Sequence, residues 1–288
     1  MSVTSPPPGF TAAAPGNAPI GDADLAAALA VAHQACDRAR EEILPRYRNV
    51  AVETKSDGSP VTEADRAAEK AIRAVIAEAF PEDAILGEEF GASAGSSAEQ
   101  TASSGKGARR RWVIDPIDGT IAFARGIPLF TTLIALLVDD EPVMGVIDLP
   151  AVDDRIGGYR GGGVFRGDER VSVSATESLE DALVSHGDLF CFDLAGLRPL
   201  HDRMAREIGK LRGYTDAFGH LLVLSGAVDA MVDCDLNPWD AAVTRVLAAE
   251  AGGICWQRQR EQGQKIDLLF GNPKIVSEIS AFVPGRSD

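Results

Sequence analysis

Trp112-Val113-Ile114-Asp115-Pro116-Ile117-Asp118-Gly119-Thr120 is the stretch on which the reading of this chain turns. An apolar strand runs into Asp115, Pro116 removes a ladder donor and turns the chain, and Asp118 arrives just after it, beside a glycine that leaves the turn open. Two carboxylates set around a proline turn can converge on one point, and a fold tolerates that convergence only when a cation neutralises it. Oxygen ligands without His or Cys select a hard ion, Mg²⁺ before Mn²⁺ or Ca²⁺. A helix opening at Gly119-Thr120 would aim free N–H groups at the same point, where they could hold a phosphate beside the metal. A purely structural reading competes, with Asp115 capping a turn and Asp118 capping the next helix, and the spacing alone does not separate the two.

Working outward, other acids stand at similar junctions. Ala84-Ile85-Leu86 reads as a short strand running into Gly87-Glu88-Glu89, and Asp240 opens a helix after Asn237-Pro238-Trp239. Taken singly, Asp240 serves equally well as an N-cap and Glu89 as a solvated loop acid. Asp65 ends a capping-box pattern, Thr62-Glu63-Ala64-Asp65, which accounts for it without any metal.

Residues 1–20 are rich in Pro, Ala and Gly without periodicity and read as a disordered tail. Helical spacing begins with Asp22 as N-cap and runs to Ile43, and a second amphipathic helix spans about Val61 to Ala79. From Gly91 to Gly107 the composition collapses to Gly, Ser, Ala and Thr, which reads as a mobile surface insertion. Thr131 to Val138 and Pro142 to Leu149 read as a hairpin of central strands, extended by Arg155 to Tyr159 and Arg170 to Ser174 into an antiparallel sheet. Past residue 178 strands and helices alternate: strands at Leu183 to Ser185 and Val228 to Val232, helices at Leu200 to Ile208, Ala217 to Ala227 and Asp240 to Ala251. An α+β half over residues 21–178 followed by an α/β half over residues 179–288 is the expectation.

Length and charge narrow the function. A chain of 288 residues holds one large core or two modest ones. With 28 Lys+Arg against 43 Asp+Glu the net charge is −15, and the one basic run, Arg109 to Arg111, is too short to reverse it, so nucleic acid and anionic membranes are poor partners. No apolar run is long enough to cross a bilayer and no secretory signal opens the chain, so a cytoplasmic protein is expected. The four cysteines, Cys36, Cys191, Cys234 and Cys255, include no CxxC pair, which favours reduced thiols over a zinc site.

Over residues 22–284 the chain resembles the inositol monophosphatase superfamily of Mg²⁺-dependent, lithium-sensitive phosphatases. Gly87-Glu88-Glu89, Asp115-Pro116-Ile117-Asp118-Gly119-Thr120 and Trp239-Asp240-Ala241-Ala242 match its signatures in order, followed by Ala249-Glu250-Ala251-Gly252-Gly253. The resemblance implies an α/β fold, a layered αβαβα sandwich, acting on a small phosphorylated metabolite as a homodimer. It implies a first metal on Glu88, Asp115 and the Ile117 carbonyl, a second on Asp115, Asp118 and Asp240, and a weaker third on Glu88 and Asp65, with Mn²⁺ as a substitute for Mg²⁺. Gly119 and Thr120 N–H groups would hold the phosphate, and Thr120 with Asp65 would orient and deprotonate the attacking water.

Two features bear on the ester. Residues 125–136 are similar to the segment after the metal motif in the histidinol-phosphate phosphatase branch. Where the inositol-specific enzymes place a Gly-Thr-Ala turn, this chain has Tyr214-Thr215-Asp216, which adds a negative charge where histidinol presents an ammonium group. Asp233, at the family's substrate-binding acid, adds a second; capping of the helix at Ala217 is the competing role for Asp216. The expectation is an L-histidinol phosphate phosphatase of histidine biosynthesis. An inositol-1-phosphate or broad sugar-phosphate phosphatase is the alternative within the class, and a protein-binding scaffold the alternative outside it.

Overall fold

The computed structural model describes residues 5–13, 20–55, 58, 60–94, 109–260 and 264–284. The strand Thr131–Val138 is buried at every position, and its two faces meet different partners. Leu133, Ala135 and Leu137 pack inward with Ala241, Val243 and Val246, whereas Ile134, Leu136 and Val138 pack outward with Leu25, Ala32 and Ile72. A strand covered on both faces must be apolar throughout, which is why this run shows no alternation.

That strand is central in a sheet of eight. The order is Glu169–Val171, Gly163–Arg166, Asp154–Tyr159, Glu141–Leu149, Thr131–Val138, Arg110–Asp118, Ala84–Gly87 and Gly91–Ser93. Its neighbours are antiparallel except for Ala84–Gly87 beside Arg110–Asp118, a parallel pair in a sheet expected to be antiparallel throughout. A second sheet orders Thr11–Ala12, Ile254–Arg260, Lys265–Gly271, Ala230–Leu236, Leu183–His186 and Lys210–Arg212. The helices Asp22–Ile43 and Glu63–Ala79 cover the first sheet, Asp216–Leu224 and Pro238–Glu250 lie between the sheets, and Arg198–Glu207 and Pro273–Ser280 cover the second. The result is the five-layer αβαβα sandwich.

Three further expectations change. Residues 1–20 are not a tail throughout: Thr11 and Ala12 pair with Gln257 and Trp256, and the buried Phe10 joins Trp256 and Phe192 in the outer core of the second sheet. Of the insertion at 91–107, Gly91–Ser93 is a strand on Ile85–Gly87, and residues 95–107 lie outside the described residues. Asp22 is the first helical residue, with Gly21 as the N-cap.

Candidate active site

Both sheets point elements at one place. The Arg110–Asp118 strand does not turn at Pro116; it bulges, its register against Thr131–Val138 shifting between Asp115 and Asp118. The bulge lets two acids that would otherwise face opposite sides of the sheet approach each other. From the other half, Asp240 arrives as the third residue of the Pro238–Glu250 helix. Carboxylate oxygens of Asp115, Asp118 and Asp240 lie within 4.8 Å of one another.

Each acid is held by backbone or hydroxyl donors. Asp115 Oδ1 accepts the Ile117 N–H at 3.1 Å. Asp118 Oδ2 accepts from Thr131 Oγ1 at 2.9 Å and from the Ala217 N–H at 2.7 Å. Asp240 Oδ2 accepts the Asn237 N–H at 2.8 Å, which makes it the N3 member of a capping box. Asp65 repeats that device: its Oδ2 caps the Thr62 N–H at 2.8 Å while Oδ1 faces Thr120 Oγ1 at 3.3 Å. The Thr120 hydroxyl also reaches the Ile117 carbonyl at 3.0 Å. Gly119 turns the chain into the short Thr120–Ala124 helix at φ +83°, a conformation that glycine adopts without strain.

The convergence shows in the titration of these groups. Burial, then the charges of Glu88, Asp118 and Asp240, pushes Asp115 well above the carboxylate range. Burial, then Asp216 and Asp240, does the same to Asp118, and burial lifts Asp240 to about 7. Asp65 is raised mainly by burial. A divalent cation would reverse all of these shifts, and the donor set, carboxylate oxygens without His or Cys, suits a hard ion.

Glu88 borders Asp115 but is not one of the three converging acids. Lys55 Nζ bridges its Oε1 at 2.7 Å and Glu89 Oε1 at 2.6 Å. Burial works against the Lys55 charge, yet the two glutamates outweigh it and hold the ammonium above its ordinary value. Lys55 stands alone in a loop with no periodic pattern around it, so nothing in the sequence marked it.

A cavity of about 170 Å³ opens beside Asp118 and Asp240 and is lined by Asp188, Asp216, Asp233 and Asp235. Asp216 sits at φ +57° and does not cap its helix: it is the first helical residue, with Thr215 in the N-cap position, the Ala217 N–H is bound by Asp118, and Asp216 Oδ2 meets Thr215 Oγ1 at 3.2 Å. Burial, then the charge of Asp233, raises Asp216 to about 6. Asp233 accepts from the buried His220 Nε2 at 3.0 Å, and His220 Nδ1 contacts Thr244 Oγ1 at 2.6 Å. His220 was not singled out from sequence, where a lone histidine in an apolar helix looks like packing. A larger groove of about 670 Å³ lies on the far side of the first sheet, but its Arg40, Arg155 and Arg166 are already paired with Asp148, Asp37 and Asp154.

The sandwich is that of a family of phosphomonoesterases: residues 24–280 match the inositol monophosphatase family, and the chain belongs to it as a phosphoric monoester hydrolase. Among its relatives, the histidinol-phosphatase of Chlorobaculum parvum is 39% identical over 216 residues, 75% of this chain and 79% of that one. The histidinol-phosphatase of Mycobacterium tuberculosis is 38% identical over 237 residues, 80% of this chain and 85% of the relative. The crystal structure of the extragenic suppressor protein SuhB from Bartonella henselae superposes with a TM-score of 0.80 at 28% identity, covering 91% of this chain and all of SuhB. Among the described residues no helix is long and apolar enough to cross a membrane.

Proposed function

We propose that the chain releases phosphate from L-histidinol phosphate, a step of histidine biosynthesis, with Mg²⁺ held by Asp115, Asp118 and Asp240 and further by Glu88, Asp65 and the Ile117 carbonyl. When bound, Mg²⁺ would neutralise the phosphate dianion and acidify the attacking water. The Gly119 and Thr120 N–H groups hold phosphate oxygens at the start of their helix. Thr120 takes a proton of the water on its hydroxyl oxygen as its own proton passes to Asp65 Oδ1, and burial lifts Asp65 toward a more useful base. Asp216 and Asp233 hold the ammonium of the alcohol.

One observation carries the choice of ester. Asp216 stands over the phosphate turn: a methyl added to Gly119 would lie 3.3 Å from Asp216 Oδ2. Among the described residues no Lys or Arg pairs with Asp216 or Asp188, whereas Asp235 on the same wall is matched by Arg260 and Lys265. Unmatched carboxylates beside the leaving group favour a cationic alcohol over a neutral polyol. The names of the two bacterial relatives support the same choice.

The test is kcat/KM for histidinol phosphate and for inositol-1-phosphate, in wild type and Asp216→Ala. Loss of one charge-assisted pair should lower the histidinol preference by roughly tenfold to a hundredfold. A wild type that prefers inositol phosphate refutes the assignment.

A further inference from the structure

Glu69 lies one helical turn after Asp65 on the Glu63–Ala79 helix and is wholly buried. Its Oε2 accepts the Glu89 N–H at 2.7 Å, and its Oε1 accepts the Phe90 N–H at 3.3 Å and Arg73 Nε at 2.7 Å. Arg73 in turn donates to the Gly91 carbonyl and to Ser93 Oγ at 3.0 Å. Against the other side of the Glu69 carboxylate lies Gly87, where any added Cβ would overlap Oε1. The Glu88 N–H goes to the Ile114 carbonyl at 3.1 Å. Three successive N–H groups, those of residues 88, 89 and 90, are therefore fixed, two of them by one side chain.

We infer that Glu69 is a positioning residue that fixes Glu88 relative to Asp65. Both acids then hang from a single turn of one helix, Asp65 directly and Glu88 through the clamped loop. Charge-assisted N–H···O bonds to a buried carboxylate are short and stiff, which suits an anchor better than a backbone turn would. A loop held only for stability would need none of this alignment with Asp65. The inference rests on the proposed role of Glu88 as a metal ligand.

The experiment measures Mn²⁺ binding to the full chain from the resonance of the free ion, alongside melting temperature, in wild type, Glu69→Gln, Glu88→Ala and Asp83→Asn. Glutamine keeps one acceptor but turns a donor toward Arg73, so Glu69→Gln should weaken the same Mn²⁺ sites as Glu88→Ala, by about tenfold. It should raise the Mg²⁺ needed for half-maximal phosphate release while leaving the substrate KM unchanged. Asp83, which accepts from Trp112 Nε1 at 2.8 Å and Arg110 Nε at 3.0 Å, is a buried acid whose side chain, among the described residues, bonds no group of the clamped loop. Asp83→Asn should lower the melting temperature and leave Mn²⁺ binding as in wild type.

Wild-type Mn²⁺ binding in Glu69→Gln, with binding lost in Glu88→Ala, overturns the positioning role alone; so does an equal loss in Asp83→Asn. Unchanged binding in Glu88→Ala overturns the ligand role of Glu88 and the positioning role with it. If Glu69→Gln does not fold, Arg73→Gln, which frees the Gly91 side and keeps both amide bonds to Glu69, should weaken the same sites by a smaller factor; no change there overturns the inference.

Discussion

Asp118 Oδ2 accepts the Ala217 N–H at 2.7 Å, so an acid at the end of a strand in the first sheet caps a helix that packs against the second. The φ of +57° at Asp216 aims that N–H across the gap. Asp118 is thus at once a cap and one of three mutually repelling charges, and the two roles have opposite signs. In Asp118→Asn the amide oxygen can keep the cap while the residue's own share of the repulsion disappears. Calorimetry should find the metal-free variant at least as stable as metal-free wild type, whereas Mg²⁺ should raise the melting temperature of wild type more. Phosphate release should fall on the order of 10³-fold, the equivalent of several kcal/mol of transition-state stabilisation.

The pH dependence of metal-free stability follows from the raised acids. Asp240 and Asp216 titrate at about 7 and about 6 in the fold, above the ordinary carboxylate value. A folded value above the unfolded one means the native state binds more protons, so this contribution is complete below the ordinary carboxylate value of about 4 and is lost progressively as pH rises from there through about 6 to 7. Metal-free protein should lose melting temperature across that window, less so in Asp240→Asn. Mg²⁺ binding near pH 6.5 should release protons, visible in calorimetric titrations run in buffers of different ionisation enthalpy. Binding without proton release contradicts the shifts.

Thr120 offers a cleaner dissection of the water-activating pair. Thr120→Val removes the hydroxyl that faces Asp65 and Ile117, and kcat should drop by about 10² to 10³ with KM little changed. Because both act on one proton, Asp65→Asn added to Thr120→Val should cost far less than it does alone. Additive losses would separate the two residues.

Gly119→Ala tests the turn itself. At φ +83° the new Cβ would stand 3.1 Å from the Leu129 carbonyl, and the left-handed conformation costs about 1–2 kcal/mol for an L-residue. Thermal unfolding should shift downward by several degrees, and phosphate release should weaken with it.

Much of this was legible in advance, for reasons that differ from residue to residue. Asp115, Asp118 and Asp240 stood at strand ends and helix starts where periodicity breaks, so chemistry could be read from punctuation. Asp65 could not be separated from its capping box because it performs both tasks, one with each oxygen. Pro116 was read as a turn, yet a bulge keeps the strand going, a distinction set by the neighbouring strand and not by local residues. Lys55, Glu69 and His220 escaped because their meaning lies in partners 33, 20 and 13 residues away. The strands Ile254–Arg260 and Lys265–Gly271 and the helix Pro273–Ser280 follow Gly253, where the pattern reading stopped.

The composition of the first twenty residues invites their removal from an expressed protein. Thr11 and Ala12, however, close the open flank of Ile254–Arg260, and Phe10 is seated below the Arg258 guanidinium, which in turn grips Asp267. A shortened protein would present a bare row of amides and carbonyls beside a vacated aromatic seat, the surface on which chains recruit one another into aggregates. Trimming for solubility would thus achieve the reverse, and light scattering of the two lengths at equal concentration would register it.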